Sequence, residues 1–261
     1  MTSASLLLAQ RAFGSVHIRM ERTGPAILRE EGAAKCRLPR GSTEAILINT
    51  SGGLAGGDRA EIRGEAGAGA TLTLTTQAAE RVYRTLGPPA DLSVSLVAEA
   101  GATLHWMPQE TILFEGASLA RTITVDLAPA AAFVAVEPVI LGRHAMGEQL
   151  EAVSLRDRWF IRRSGRLIHA EALAFGPARP ATPATLAGVQ AMANVLIVSD
   201  AAEGLLDTVL RHLGPRDGAS AWNGKLIARC VADDSLALRK TLVPLLSACV
   251  GPAAMPKVWT L

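Results

Sequence analysis

Acidic and imidazole side chains that could contact a divalent metal ion recur in glycine-bearing segments of this chain. Asp58 closes the run 49–58, which contains four glycines and directly follows the apolar residues 45–48. Glu137, His144 and Glu148 lie together in a second such segment. Carboxylate oxygens and imidazole nitrogens are donors that a borderline divalent ion accepts. One interpretation is a polar route on which these four residues contact an ion in transit.

The glycine-rich run also has a structural interpretation. Its glycines can supply the positive φ angles of a tight connection between strands, with Asp58 accepting hydrogen bonds from nearby amides. A phosphate loop is disfavoured, because no Gly-Lys-Ser/Thr ending follows and residues 60–63 look extended. The chain has no Cys-x-x-Cys, His-x-His or His-rich tract. We therefore expect no tightly bound metal or cofactor, only transient contacts.

Five further residues carry charged or aromatic side chains that suit contact with a partner protein. Tyr83 is the only tyrosine and is followed by Arg84, while Glu110 and Glu115 lie in a strand-turn-strand pattern. Arg143 is expected to bind a carboxylate through two of its N–H groups, in either a buried or an interfacial ion pair. For Tyr83, a packed ring with a bonded hydroxyl and a role at an interface are equally open.

Two other classes of function are open from the residues alone. A small hydrolase could use Glu110 or Glu148 with His144, although no nucleophile elbow or metal motif accompanies them. A purely structural β-protein without a metal role would need none of these groups. Genomic neighbourhood discriminates these two classes from a protein that assists a partner, since such a protein should be encoded beside that partner.

The elements that must position these residues are mainly β-strands. Apolar and small polar residues alternate with period two in four clear segments, which predicts half-buried strands. These segments are residues 70–76, 92–97, 121–127 and 132–136. They recur without long helical patterns between them, which favours stacked or meandering strands, resembling a β-helix, and disfavours βαβ units. The similar phrases 65–72 and 99–104 hint at a repeated turn-into-strand unit.

The end of the chain has a different pattern. We expect one domain over residues 1–261, β-rich in 1–175 and mixed α/β with two helices in 176–261. The first helix should start at Ser199 or Asp200, use Glu203 in a capping box and run along apolar positions to Leu213. A strand at 225–231 precedes the second helix, which Pro244 should kink or divide.

Composition excludes several classes of protein. Hydrophobic residues make up 49% and charged residues 19% of the 261 residues, so the chain can bury a large core. The net charge of +2 comes from interspersed signs, and no basic stripe suits nucleic acid. The apolar run 6–9 is too short for a membrane span or a signal peptide, and the three cysteines are far apart. We expect a cytoplasmic protein with reduced thiols and no membrane partner.

Taken together, these segments resemble the UreD/UreH family of urease accessory proteins. In chain order the matching pieces are Ser51-Gly-Gly-Leu-Ala-Gly-Gly-Asp58, Thr75-Thr-Gln77 leading to Tyr83-Arg84, Leu104 through Glu115, Glu137, Gly142-Arg143, Gly147-Glu148 and Pro256-Lys-Val-Trp259. The chain departs from the pattern at Glu80-Arg81, where a small hydroxyl residue and a lysine are expected, and at Lys257, where arginine is usual.

The resemblance implies a non-catalytic scaffold with a fold of stacked strands and a few helices. It implies work in a complex with a helical partner of the UreF type and a GTPase of the UreG type. That complex docks on apo-urease and supports nickel insertion. The divalent ion of the transit hypothesis would then be nickel, and GTP hydrolysis would belong to the partner.

Overall fold

The computed structural model describes residues 11–143, 148, 150–176 and 188–259. In this part of the chain, seven strands form one sheet in the order β14-β13-β11-β8-β5-β1-β2. Their bounds are β1 Phe13–Glu21, β2 Gly24–Gly32, β5 Arg59–Ala66, β8 Ala90–Ala98, β11 Ser118–Leu127, β13 Ser154–Arg163 and β14 Arg166–Phe175. The five strands from β13 to β1 pair in parallel, and the two edge strands pair antiparallel with their neighbours.

A second sheet of ten strands among the described residues faces the first. Its main path is β16-β17-β15-β12-β9-β6-β4-β3, and the short strands β7 and β10 are attached at one side. Their bounds are β3 Ala34–Arg37, β4 Glu44–Asn49, β6 Thr71–Thr76, β7 Glu80–Val82, β9 Thr103–Trp106, β10 Thr111–Leu113, β12 Ala132–Leu141, β15 Ala191–Val198, β16 Gly218–Trp222 and β17 Lys225–Ala232.

From β4 to β13 the chain passes back and forth between the two sheets, and each round trip forms one coil of a solenoid. Successive coils stack with their strands parallel. Leu72 lies opposite Leu104, and Ala66 lies opposite Ala98, which places the two similar phrases of the sequence in adjacent coils. The predicted mainly β, β-helix-like fold is confirmed. Inward-facing aliphatic side chains of both sheets form the core between them.

The prediction of half-buried strands is wrong for β6. Leu72 and Leu74 face the core between the sheets, as expected, but Thr73 and Thr75 on the other face are also buried. The Thr75 hydroxyl donates to the carbonyl oxygen of Met107, which also accepts from the indole of Trp259. The end of the chain therefore covers the outer face of this strand and shields its threonines from water.

The segment after residue 188 carries strands β15 to β17 as well as helices, so helices do not dominate it. The first predicted helix is wrong in length: residues 203–205 form a 3₁₀ turn and α1 spans only Leu206–Leu210. Glu203 makes no capping box, because its carboxylate accepts from the Gly224 amide in the turn between β16 and β17. The glycine at 204 also weakens the helix.

The second predicted helix is confirmed as α2, Ser235–Val250, with the Asp234 side chain accepting from the Ala237 amide at its start. The helix is continuous through Pro244, where a kink or division was expected. Its buried face packs on the outer side of β15 and β17, together with residues of the chain end. Leu236, in the first turn of α2, is largely exposed.

Candidate functional site

The glycine-rich run 49–58 forms a tight connection between β4 and β5 and packs against the residues after β7. Gly53 has a φ of 146°, and a Cβ atom there would lie 2.4 Å from Cε2 of Tyr83. The Tyr83 hydroxyl donates to the carbonyl oxygen of Gly52 at 3.1 Å. A side chain at 53 would strain the backbone and displace the ring, so glycine is required for this approach.

Asp58 holds this loop in place. Its Oδ1 accepts from the Ala12 amide at 2.8 Å, and its Oδ2 accepts from the Ala55 amide at 2.7 Å. The residue is buried. Both oxygens therefore stabilise the start of the first strand and the turn of the loop, as in the structural interpretation of the sequence.

An exposed ring and guanidinium cluster lies beside the loop. The rings of Tyr83 and Phe114 meet edge to face, with centroids 5.2 Å apart. The Arg143 guanidinium carbon lies 4.5 Å from the centroid of Phe114. Arg143 also donates from Nη2 to Oε1 of Glu148, at 2.8 Å, and this hydrogen bond lowers the pKa of Glu148. Arg143 thus forms an ion pair with a carboxylate on the surface.

Arg84 and Glu115 flank the same cluster. The Arg84 side chain covers Gly116, where a Cβ atom would lie 2.6 Å from its Cγ. Glu115 accepts from the Glu151 amide at 2.7 Å and also from the amide of the next residue. We name the set Tyr83, Arg84, Phe114, Glu115, Arg143 and Glu148 the Tyr83 surface. It contains four of the five residues expected to contact a partner, together with Phe114, which is an addition, and Glu148, which was expected to contact a metal ion.

Glu110 lies elsewhere. Its carboxylate accepts from Nη1 of Arg239, on α2, at 2.9 Å, and the same nitrogen donates to Gln109. Glu110 therefore ties α2 to the second sheet, away from the Tyr83 surface. His144, the remaining predicted metal contact, lies outside the described residues.

Glu137 belongs to a buried charge cluster with Arg121 and Asp157. Arg121 donates to Asp157 through Nε at 3.1 Å and through Nη2 at 2.6 Å, and its Nη1 donates to Glu137. The indole of Trp106 also donates to Glu137. All three charged residues are almost completely buried. The indole of Trp159 donates to Asp157 at 3.2 Å. One guanidinium thus faces two carboxylates, and each carboxylate also accepts from an indole.

Burial dominates the titration of this cluster. Burial raises the pKa of Glu137 to about 7, Asp157 adds to the rise, and the charge of Arg121 opposes it. Burial lowers the pKa of Arg121, but its two carboxylate partners outweigh burial and the net pKa is raised. A carboxyl group with a pKa near neutrality can exchange a proton under physiological conditions.

Sequence reasoning missed Arg121 and Asp157, although the sequence carries a signal for both. In β11, Arg121 lies two and four residues before the buried residues Ile123 and Val125, so all three side chains point to the same face of the strand. In β13, Asp157 lies two residues before buried Trp159 and points to the same face of the strand. A charged residue at an inward position of an alternating strand must find a partner inside, so two such residues indicate a buried pair.

A cavity of about 210 Å³ lies between the two sheets and ends at this cluster. Trp106, Arg121 and Glu137 line one part of it, and Gly52 and Gly53 of the loop line another. About half of the remaining lining residues are aliphatic, and the rest include the basic residues Lys35, Arg59 and Arg81. The cavity thus runs from the glycines beneath Tyr83 to the buried charges.

Glu80, one of the positions that departs from the family pattern, also lines the cavity. Both of its carboxylate oxygens lie within hydrogen-bonding distance of the side-chain amide of Asn49, at 3.1 and 3.2 Å. Burial raises the pKa of Glu80 to about 7, and the hydrogen bond from Asn49 opposes the rise. The cavity therefore presents two carboxyl groups, Glu80 and Glu137, whose pKa values are raised by burial.

The described residues contain no group of three or more His, Cys, Asp or Glu side chains that could hold a metal ion. Cys36, Cys230 and Cys249 are free thiols. Burial raises the pKa of Cys230 to about 12, so this thiol is unreactive at neutral pH. Among the described residues, no helix is long and apolar enough to cross a membrane.

Comparison with known proteins identifies the family. The family model described as UreD urease accessory protein matches residues 3–260. The urease accessory protein UreD of Rhizobium etli is 47% identical over 263 residues, covering 97% of this chain and 96% of the relative. Its counterpart in Agrobacterium fabrum is 48% identical over 238 residues, covering 89% and 84%, and that of Mesorhizobium japonicum is 43% identical over 274 residues, covering 100% and 98%. The chain belongs to the UreD family of urease accessory proteins.

Proposed function

We propose that this chain is a non-catalytic scaffold that binds apo-urease together with UreF-type and UreG-type partners and supports nickel insertion in the cytoplasm. The observation that carries the proposal is the family match across nearly the whole chain, with relatives named as urease accessory proteins.

The state of the candidate catalytic groups supports a non-catalytic role. Glu110 is bonded to Arg239, and Glu148 is bonded to Arg143. Each carboxylate is already occupied by an arginine, which disfavours the use of either one as the acid or base partner of His144. The hydrolase alternative is therefore less well supported than the scaffold.

The Tyr83 surface is the part of the molecule best suited to a partner. Tyr83 and Arg143 are exposed and held in place by Phe114 and Glu148, so their ordering costs little when a partner binds. Tyrosine and arginine are enriched among residues that dominate binding energies. Arg84 adds a second exposed guanidinium.

For nickel transit we propose that the cavity carboxylates contact the ion, with Glu137 and Glu80 as the principal residues. Both line the cavity, and their raised pKa values make a proton compete with the ion, which favours weak and reversible contacts. Asp58 and Glu148 do not line the cavity, and they bond to amides and to Arg143, so their geometry suits support of the route more than contact with the ion.

Affinity capture tests the scaffold. The tagged chain is co-expressed with urease subunits and the UreF-type and UreG-type proteins, and the captured complex is analysed. We expect all partners to be retained, and urease activity to be absent from the chain alone. Measurable GTP or urea hydrolysis by the pure chain, or failure to retain urease and both partners, would contradict the proposal.

The nickel content of co-expressed urease tests the route. We expect Glu80→Gln to lower nickel per urease active site at least several-fold while complex assembly is preserved. Glu137→Gln also leaves Arg121 with one anionic partner, so its nickel loss is compared with the amount of folded, assembled chain and should exceed the loss of folded chain. Glu61→Gln is the matched control, because Glu61 is exposed on the outer face of the first sheet. Normal nickel content in both cavity variants would refute the route and leave the scaffold proposal intact.

A further inference from the structure

Strand β14 is the exposed edge of the seven-stranded sheet. It pairs with β13 on one side, and no strand of the described residues pairs with its other side. It is ten residues long, and its only register irregularity lies near its start, so 169–175 are regularly paired with β13. An unpaired strand edge of this length is a template for another strand.

The other three sheet edges are less suited to pairing. Strand β2 carries Pro25, Arg29, Glu30 and Glu31 and has a register shift against β1. Strands β3 and β16 have only four and five residues. Charges, proline, irregular register and short length all disfavour edge-to-edge association. β14 instead exposes Ala170, Ala172 and Ala174.

The sequence of β14 is complementary to itself in the antiparallel direction. When Ala170 is placed opposite Ala170 of a second copy, His169 faces Glu171, and both lie in the regularly paired part of the strand. An imidazole and a carboxylate on facing positions can hydrogen-bond, and such polar pairs stabilise paired strands. A shift of the centre to Glu171 would place two carboxylates against each other, and a centre at Ala172 would place Glu171 against Leu173.

We propose that β14 pairs antiparallel with β14 of a second copy of this chain, with Ala170 at the two-fold centre. The small side chains at 170, 172 and 174 let the paired strands continue a flat outer face. The pairing joins the two seven-stranded sheets into one continuous sheet and removes both exposed edges.

The neighbouring charges limit the strength of this pairing. Lys225 donates to the carbonyl oxygen of Ile168 at 2.7 Å, and Arg229 bonds to Glu171 within the same chain. His169 of the second copy would join this Glu171 and Arg229 pair. A junction of one strand pair is smaller than the roughly 1,200–2,000 Å² buried in stable interfaces, so we expect a dimer that dissociates in the micromolar range.

The test is a charge exchange at the centre. Sedimentation of the purified full chain is measured over a wide micromolar concentration range for the wild type, Ala170→Lys, Ala170→Glu and an equimolar mixture of both variants. Because position 170 faces itself, each variant alone places like charges together, whereas the mixture places opposite charges together. Ser95→Lys, at an exposed position of β8 in the middle of the same sheet, is the matched control.

We expect a concentration-dependent dimer for the wild type and for Ser95→Lys, monomers for each variant at 170, and a dimer again in the mixture. Ala170→Cys should also form a disulfide-linked dimer under mild oxidation, and Ala172→Cys, which faces position 168, should not. A wild-type monomer throughout the range would overturn the proposal. Association that persists in Ala170→Lys, or variants that fail to recover in the mixture, would overturn it as well.

Discussion

Arg121 on β11 and Asp157 on β13 lie opposite each other on adjacent parallel strands and form a two-point ion pair between the sheets. Glu137 accepts from the same guanidinium. One cation therefore compensates two buried carboxylates, and the cluster lies at the end of the cavity that we propose for nickel. Its integrity matters both for the fold and for the proposed function.

Asp157→Asn is expected to lower the free energy of unfolding by about 3 kcal/mol, because it leaves a buried guanidinium with a single anionic partner. Urea denaturation followed by circular dichroism measures the change. Asp126→Asn, at an exposed position of β11, is the control and should change stability by less than about 0.5 kcal/mol. Equal losses in the two variants would show that the cluster does not stabilise the fold.

Asp58→Ala is expected to destabilise the chain by about 1–3 kcal/mol, because the amides of Ala12 and Ala55 lose their acceptors. Thermal unfolding and the nickel content of co-expressed urease are measured together, with Asp58→Asn as the variant that keeps one carbonyl oxygen. Nickel loss should follow the loss of folded chain. Nickel loss at full stability would instead assign Asp58 to contact with the ion.

Stability is expected to depend on pH through Glu80. Its pKa in the folded chain is about 7, above the ordinary 4.5, so the folded state binds the proton more tightly than the unfolded state. This contribution is fully present below about pH 4.5 and is lost as the pH rises through 7. Relative to Glu80→Gln, the wild type should lose up to about 1.4 kcal/mol per pH unit between these values.

Urea denaturation of both proteins at several pH values between 5 and 8 measures the difference. Glu61→Gln controls for the loss of one negative charge at an exposed site. A constant difference between wild type and Glu80→Gln across this range would show that Glu80 titrates normally.

Tyr83→Ala is expected to weaken capture of the partner proteins at least tenfold, because it removes the ring that packs on Phe114 and Gly53. Tyr83→Phe keeps the ring and should retain most binding. Titration of the purified partners against the immobilised chain measures the change. Arg22→Ala, in the turn after β1, is the control, and equal affinity for all variants would exclude Tyr83 from the interface.

Much of the fold was predictable because alternation in short strands depends on local burial. Residues 92–97 and 121–127, for example, lie within longer observed strands of the same phase. Burial of Thr73 and Thr75 was not predictable, since it depends on residues near the chain end that cover the strand. The short α1 was also missed, because the Gly224 amide binds the expected capping side chain.

The sequence identified most of the Tyr83 surface, since its residues lie in compact motifs. Phe114 lies within the matching segment 104–115, but its contact with Arg143 forms only when two segments distant in sequence pack together. The separation of Glu110 from the surface follows from α2, whose Arg239 lies far away in sequence. The cavity is lined by both sheets, so its existence depends on how the sheets pack together. No local sequence pattern predicts such a cavity.

The most direct measurement is the nickel content of urease purified from cells that express urease and the other accessory proteins, with and without this chain. We predict urease with little nickel and little activity when the chain is absent, and near-complete loading when it is present. Equal nickel content and activity in the two preparations, at the same nickel supply, would contradict the account.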